Sequence, residues 1–157
     1  MEDSKGGTPW AGESAAEEAV GRDVLLRVPA RKEYLALIGL AARWSGHRAG
    51  LSEEKSKDLE VAVDEACSNV ILHGYPDQPD GEMTVVFSPV PHGLQVTILD
   101  RGRPFDPKEG AEIAREKQSH NPASGGMGLL LISELTDAVH YDRDHREGNR
   151  LTLVKHK

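Results

Sequence analysis

Two polar side chains, Glu65 and Asn69, are spaced so that they can act on one ligand. In a helix, residues four apart project from nearly the same face, about 40° apart around the axis. A carboxylate in that place can orient or deprotonate a hydroxyl, and an amide oxygen can complete the oxygen shell that Mg²⁺ prefers. Taken alone, the pair is explained more simply as a solvated face beside the apolar stripe of the same helix.

A further carboxylate, Asp100, follows an apolar run at residues 94–99 and precedes Arg101 and Gly102. A carboxylate at a strand end can accept a hydrogen bond from a ligand amino group. Gly102 has no Cβ and therefore permits close approach of a flat ring. The alternative interpretation is a polar turn after a strand.

A glycine-dense turn containing Gly125, Gly126 and Gly128 runs directly into an apolar helical segment. Glycines let the backbone approach a ligand closely, and the free N–H groups at a helix start favour an anion. The junction therefore predicts a phosphate site, whereas the simpler alternative is a plain turn at a helix entry.

Apolar periodicity and the Pro and Gly residues between the periodic segments predict the elements that hold these groups. The predicted elements in chain order are strand 23–28, helix 34–50, helix 52–74, strands 83–88 and 94–99, helix 127–135, and strands 138–141 and 150–154. Together they predict an α+β fold. The polar stretch 101–124 contains only a short helical possibility at residues 110–117, and we expect it to act as a lid because connections this long are usually functional.

Composition limits the classes of protein that the chain can belong to. Its 157 residues, 38% hydrophobic and 29% charged, suit a mobile tail at residues 1–22 and one domain at residues 23–157. The net charge of −7 and the absence of a basic stripe argue against nucleic acid as a partner. A single cysteine excludes a disulfide framework, and no apolar run approaches the ~20 residues of a membrane helix. We therefore expect a cytoplasmic protein without a membrane partner.

The order of the three motifs resembles the ATP-binding superfamily of DNA gyrase, the histidine kinases and their chaperone and mismatch-repair relatives, whose site is called the Bergerat fold. Residues 65–75, 100–107 and 125–132 are more narrowly similar to the anti-sigma factor serine/threonine kinases. The resemblance implies a two-layer α/β sandwich in which helices cover one face of a mixed, mainly antiparallel sheet. Arg103 and Pro104 replace the second glycine of the wider superfamily, a change that the narrower family tolerates.

The resemblance also implies an enzyme that uses ATP and Mg²⁺ to phosphorylate a protein serine or threonine. Glu65 is then the general base, and Asn69 is a ligand of the Mg²⁺ that bridges the ATP phosphates. Asp100 accepts a hydrogen bond from the adenine amino group, and Gly102 lies beneath the adenine ring. The remaining nucleotide contacts that it implies are backbone N–H groups of Gly126, Met127, Gly128 and Leu129 and a last-strand hydroxyl at Thr152.

The same resemblance implies a homodimer with two protein partners, an anti-anti-sigma protein of STAS type that is phosphorylated and a sigma factor that is sequestered. An ATP-gated binding module without kinase activity is the alternative, and intact Glu65 and Asn69 argue against it. A histidine-kinase ATP domain fits less well, because no segment carrying a phospho-acceptor histidine and no transmembrane sensor precede the motifs.

Overall fold

The computed structural model describes residues 22–120, 127–144 and 146–157. Of the tail predicted at residues 1–22, all but residue 22 lies outside the described residues, as do the glycines Gly125 and Gly126. The elements are β1 (Val24–Pro29), α1 (Leu35–Arg48), α2 (Glu53–Asn69), β2 (Glu82–Val90), β3 (Gly93–Asp100), α3 (Pro107–His120), α4 (Met127–Leu135), β4 (Ala138–Asp144) and β5 (Gly148–His156). Within these residues, no helix is both long and apolar enough to cross a membrane.

The strands form one five-stranded sheet in the order β1-β2-β3-β5-β4. Its strand pairings are antiparallel throughout the described ranges, so the expectation of a mixed sheet is wrong, whereas the α+β class is confirmed. The long β2–β3 hairpin turns at Pro91 and His92, between Val90 and Gly93. In the centre of the sheet, β3 pairs with β5 so that Asp100 lies opposite Asn149 and Thr97 lies opposite Thr152.

The core lies between the helices and one face of this sheet. Alternate residues of β2, β3 and β5 meet the apolar stripes of α1, α2 and α4, and the largest fully buried side chains include Phe87, Ile38, Leu59, Leu94 and Leu153. Burial of one such side chain stabilises the fold by roughly 1.5–3 kcal/mol. This packing fixes α2 and α4 against the sheet, and these two helices carry the predicted catalytic and phosphate-binding residues.

The helix α2 begins and ends where the sequence predicts. The Ser52 hydroxyl caps its start by accepting a hydrogen bond from the Lys55 N–H at 3.2 Å. A π-type turn at Val70–Gly74 continues the helix, and the Tyr75 N–H donates to the Val70 carbonyl at 3.2 Å. Such turns often occur at functional sites because they redirect the side chains around them.

The stretch predicted to be a lid is mostly a helix. The helix α3 spans Pro107–His120, longer than the short helix expected at residues 110–117. Asp106 caps it by accepting from the Lys108 N–H at 2.9 Å, and Pro107 occupies the first helical position, where a missing N–H costs nothing. The helix packs on α4, where the Arg115 guanidinium donates to the Ser133 hydroxyl at 3.2 Å.

Candidate active site

Asp100 lies at the end of β3 with only 6% of its surface exposed. Its Oδ1 accepts two hydrogen bonds, from the Asn149 side-chain amide at 2.9 Å and from the Gly102 N–H at 2.8 Å. Burial raises the pKa of the carboxyl group, and these two donors act in the opposite direction by stabilising the charged form. Asp100 is thus a buried carboxylate held in one orientation.

Asn149 is a site residue that the sequence reasoning missed. Its amide nitrogen donates to both Asp100 and the Gly102 carbonyl, each at 2.9 Å, and its amide oxygen accepts from the Tyr141 hydroxyl at 3.1 Å. A signal was present in the sequence, because Asn149 begins the alternating inward positions that continue with Leu151 and Leu153. A polar side chain at an inward strand position requires a partner.

The structure does not bring Thr152 to the other predicted residues, which corrects that assignment. Thr152 pairs with Thr97, three residues further along β5 from Asn149, which is roughly 10 Å along the strand. Side chains also alternate between the faces of a strand, so Thr152 projects away from the face that carries Asn149 and Asp100. The cross-strand neighbour of Asp100 is therefore Asn149, and Thr152 cannot contact a ligand that Asp100 holds.

The close approach at Gly102 is to the protein backbone. A Cβ added at Gly102 would lie 2.5 Å from the carbonyl oxygen of Gly74 and 2.6 Å from its carbonyl carbon. The Arg103 N–H donates to the same carbonyl at 2.7 Å. The end of α2 and the loop after β3 are thus packed backbone to backbone beside Asp100.

A small cleft joins Asp100 to α2. The residues that line it are Ala66, Asn69, Val70, Gly74, Asp100, Arg103, Phe105, Pro107, Tyr141, Asn149 and Leu151. Phe105 is held in its lining, because its ring stacks on His73 with centroids 4.6 Å apart and its N–H donates to the Tyr141 hydroxyl at 3.0 Å. A larger cavity of about 570 Å³, lined by Tyr75, Arg27 and the loop at residues 77–82, contains none of the predicted site residues.

Asn69 lies in this cleft with its amide unsatisfied. The Nδ2 atom is buried and has no hydrogen-bond partner among the residues that the structure describes, which is costly unless a ligand completes it. The amide oxygen and nitrogen can exchange places by rotation, so the buried position suits either a donor or an acceptor. The unsatisfied amide of Asn69 is therefore available to a ligand that enters the cleft.

Glu65 contacts the start of α4. Gly128 is the second residue of that helix, and a Cβ added there would stand 2.9 Å from the carboxylate carbon of Glu65. Within the described ranges, no hydrogen bond or ion pair engages the Glu65 side chain. The backbone of Met127, Gly128 and Leu129 forms the first turn of α4, where N–H groups lack partners within the helix. A free carboxylate and a helix start thus meet at one point.

The predicted residues on α2 lie next to those on β3 and at the start of α4. Asn69 lies about 6 Å from Glu65 along the axis of α2, as four residues of helix require. Asn69 and Asp100 line the same cleft, and Glu65 leads from that cleft to Gly128. Gly126 lies outside the described residues. The arrangement offers an acceptor for an amino group at one end and a helix N-terminus for an anion at the other.

Comparison with known proteins decides the family. A sequence model of the family described as histidine kinase-like ATPase domain matches residues 28–155. The chain belongs to the histidine kinase-like ATPase family. The family predicted from the three motifs is thereby confirmed.

The similar proteins of this ATPase family include several serine-protein kinases called RsbW. The one from Bacillus cereus is 31% identical over 136 residues, which cover 83% of this chain and 82% of the relative. The one from Bacillus subtilis is 32% identical, covering 73% of this chain and 74% of the relative. The one from Oceanobacillus iheyensis is 35% identical, covering 73% and 75%.

A solved structure supports the fold of this ATPase domain. The histidine kinase domain of the blue-light activated kinase from Erythrobacter litoralis EL346 superposes with a TM-score of 0.50 at 19% identity. The match covers 80% of this chain and 60% of that domain. At this identity, the likeness concerns the fold of the two proteins.

Proposed function

We propose that this chain is an ATP-dependent serine/threonine protein kinase that acts as an anti-sigma factor. In this proposal it phosphorylates an anti-anti-sigma protein of STAS type and sequesters a sigma factor. The observation that carries the proposal is the contact between Glu65 and Gly128, which brings a free carboxylate to the helix start that suits phosphate. The relatives named serine-protein kinase RsbW support the same activity.

The phosphates of ATP are proposed to lie at the N-terminus of α4. The N–H groups of Met127, Gly128 and Leu129, with Gly126 before them, would donate to the phosphate oxygens, and the helix dipole favours their negative charge. Gly128 leaves room for this approach, since any larger residue there would meet Glu65. Phosphate binding therefore uses backbone groups, and the reaction uses a side chain.

Asn69 is the residue proposed to hold Mg²⁺. Asn69 lines the cleft with an unsatisfied amide, and an amide oxygen is a suitable ligand for this hard cation. Among the described residues there is no group of three or more His, Cys, Asp or Glu side chains that would hold a metal ion. This fits the usual behaviour of Mg²⁺, which takes one or two protein ligands and completes its shell with phosphate oxygens and water. Bound there, the ion would neutralise phosphate charge.

Glu65 is proposed to orient the attacking hydroxyl and to accept its proton. The serine or threonine oxygen forms the new bond to the γ-phosphorus, while the bond to the β,γ-bridging oxygen breaks and ADP leaves with that electron pair. A positioned base of this kind contributes roughly 10²–10⁴ in rate. Its contact with Gly128 keeps the carboxylate beside the phosphate site.

Asp100 is proposed to receive the adenine ring in the cleft. Its Oδ1 is occupied by Asn149 and Gly102, which leaves Oδ2 as the acceptor for the 6-amino group. The cleft is narrow beside Phe105, so we expect the Phe105–His73 stack to shift when the base enters. This would be a local form of the lid motion predicted for residues 101–124.

The alternative function is an ATP-gated binding module that no longer phosphorylates. To separate the two, the purified chain would be mixed with Mg²⁺, γ-labelled ATP and the anti-anti-sigma protein of the same genome, with nucleotide binding measured by calorimetry. Label on a serine or threonine of that protein supports the kinase, and co-migration with a sigma factor on gel filtration supports sequestration. Nucleotide binding without any label would reject the kinase in favour of the alternative.

The homodimer expected from the family resemblance is part of the same proposal. Light scattering on the purified chain, with and without its partners, measures the assembly directly. A mass of twice 17.1 kDa is expected, and a monomer at all concentrations would contradict it.

A further inference from the structure

We infer that Asn149 and Tyr141 are positioning residues that set base selectivity by fixing Asp100 as a hydrogen-bond acceptor. The inference rests on the proposed function, because it concerns the base of the nucleotide bound at the same site. It assigns a role to two residues outside the three sequence motifs. Both come from the β4–β5 hairpin, far along the chain from the motif that contains Asp100.

The hydrogen bonds around Asn149 leave its amide one orientation. Both of its N–H bonds are used, one toward Asp100 Oδ1 and one toward the Gly102 carbonyl. Its amide oxygen accepts from the Tyr141 hydroxyl, which accepts in turn from the Phe105 N–H. A flipped amide would point its oxygen at a carboxylate and at a carbonyl, and both contacts would be repulsive.

The hydrogen bonds that Asn149 makes within the protein exclude a direct hydrogen bond from its amide to the ligand. Because both of its protons are engaged by the protein, its amide has no donor left for a nucleotide base. Its effect reaches the ligand through Asp100, whose Oδ1 it occupies together with the Gly102 N–H at 2.8 Å. The carboxylate can then turn only Oδ2 toward the cleft, where it accepts and does not donate.

An acceptor in a fixed place discriminates between purines. Adenine carries an amino group at position 6, which donates to the carboxylate, whereas guanine carries an oxo group that meets it acceptor to acceptor. A buried polar group left unpaired is costly, so a rigid acceptor rejects guanine. If the carboxylate is free to rotate or to become protonated, it can accommodate the oxo group as well. Selectivity therefore depends on the two residues that hold Asp100 still.

The experiment measures the ratio of ATP to GTP dissociation constants by calorimetry with Mg²⁺ present. The variants are Tyr141→Phe, which removes one hydroxyl, and Asn149→Leu, which removes the amide at similar volume. The matched control is Thr152→Val. Thr152 lies on the same strand β5 as Asn149, but it pairs with Thr97 and its side chain is on the opposite face of the sheet. Thermal unfolding followed by circular dichroism reports whether each variant is folded.

We expect the preference for ATP to fall roughly 5-fold in Tyr141→Phe and roughly 30-fold in Asn149→Leu, and to stay unchanged in Thr152→Val. If the two residues had a merely structural role, the variants would bind ATP and GTP equally more weakly. The ratio of the two dissociation constants would then stay unchanged, and that result overturns the inference. If Asn149→Leu does not fold, the milder Tyr141→Phe decides the question. Wild-type protein that binds neither nucleotide rejects the proposed function together with the inference. Selective wild-type protein with unaltered ratios in the variants rejects the inference alone.

Discussion

The carboxylate of Glu65 and the backbone of Gly128 touch, although they are far apart in sequence. A methyl group at Gly128 would stand 2.9 Å from the Glu65 carboxylate carbon. The contact joins α2 to the first turn of α4, and extensive packing between the two helices supports it. The proposed base on one helix and the proposed phosphate-binding terminus on the other are thereby held at one place, as phosphoryl transfer requires.

Substitution of Gly128 tests this contact. In Gly128→Ala, the new methyl group meets the end of a flexible side chain, so Glu65 rotates away and the fold remains. We expect the melting temperature to change little and the rate of phosphotransfer to fall by at least about 10-fold, because the base is displaced. Unaltered transfer in a folded Gly128→Ala protein would contradict the contact's role.

Substitution of Gly102 has a different expected outcome. In Gly102→Ala the added methyl group meets the backbone of Gly74, which cannot move aside as a side chain can. We expect a loss of about 1–3 kcal/mol in the free energy of unfolding, together with weaker ATP binding. Chemical denaturation measures the first quantity and calorimetry the second.

Gly39→Ala is the matched control for Gly102→Ala. An added Cβ in α1 would make only ordinary contacts of 3.5 Å with Glu60, and alanine favours the helix by up to about 1 kcal/mol. This variant should be as stable as the wild type or more stable. A Gly102→Ala protein equal to it in stability would show that the loop does not need glycine.

Lowering the pH should weaken ATP binding through Asp100. Burial raises the pKa of this carboxyl group above its ordinary range, so Asp100 takes up a proton at a less acidic pH than usual and loses its charged acceptor. Cys67 and Tyr75 are close to Asp100, and burial raises the pKa of each, so both stay neutral as the pH falls. Calorimetric titrations between about pH 7.5 and about pH 5 should show the affinity falling.

The stability of the ligand-free protein should respond to Asp100 in the opposite sense. Its pKa is higher in the folded than in the unfolded state, so the folded state binds the proton more tightly and gains stability as the pH falls through the folded value. Asp100→Asn removes this titration.

ATP affinity with the same pH dependence in wild type and in Asp100→Asn would assign that dependence to another group.

Lys155 should stabilise the end of α4. Only 9% of this residue is exposed, and its ammonium group donates to the Leu135 carbonyl at 2.8 Å and to Asp58 at 3.3 Å. In Lys155→Met, a carbonyl of the last helical turn loses its donor and Asp58 loses its partner, so we expect a loss of about 1–3 kcal/mol. Urea unfolding of Lys155→Met, Asp58→Asn and the double variant gives the coupling, and additive effects would show that the pair is not coupled.

The sequence predicted those parts of the molecule whose signals are local. Ser52 caps α2 and Gly74 ends the π-type turn that follows it, as the sequence predicts, and the apolar run after Met127 marks α4. The helix α3 was underestimated because its residues are mostly polar and its one large apolar side chain, Ile113, is 47% exposed. A helix that buries little apolar surface leaves no periodic signal.

The remaining site features depend on contacts between distant segments. The assignment to Thr152 failed because the register of β5 against β3 decides which residue faces Asp100, and that register is a property of the sheet. Gly102 was predicted to lie under a ligand ring, and the structure adds a second reason for glycine there, because an added Cβ would meet the backbone of Gly74. Both features become visible only when the strands and the end of α2 are in place.

The role of Glu65 as the base is tested most directly by single-turnover phosphotransfer. Wild type and Glu65→Gln are compared, and ATP binding is measured on the same samples. Glu65→Gln keeps the size of the side chain and removes its basicity and charge beside the phosphates. We predict that the variant binds Mg²⁺ and ATP at least as tightly as wild type and transfers phosphate to the anti-anti-sigma protein roughly 10²–10⁴ more slowly. Equal transfer rates in the two proteins would contradict the role of Glu65 as the base.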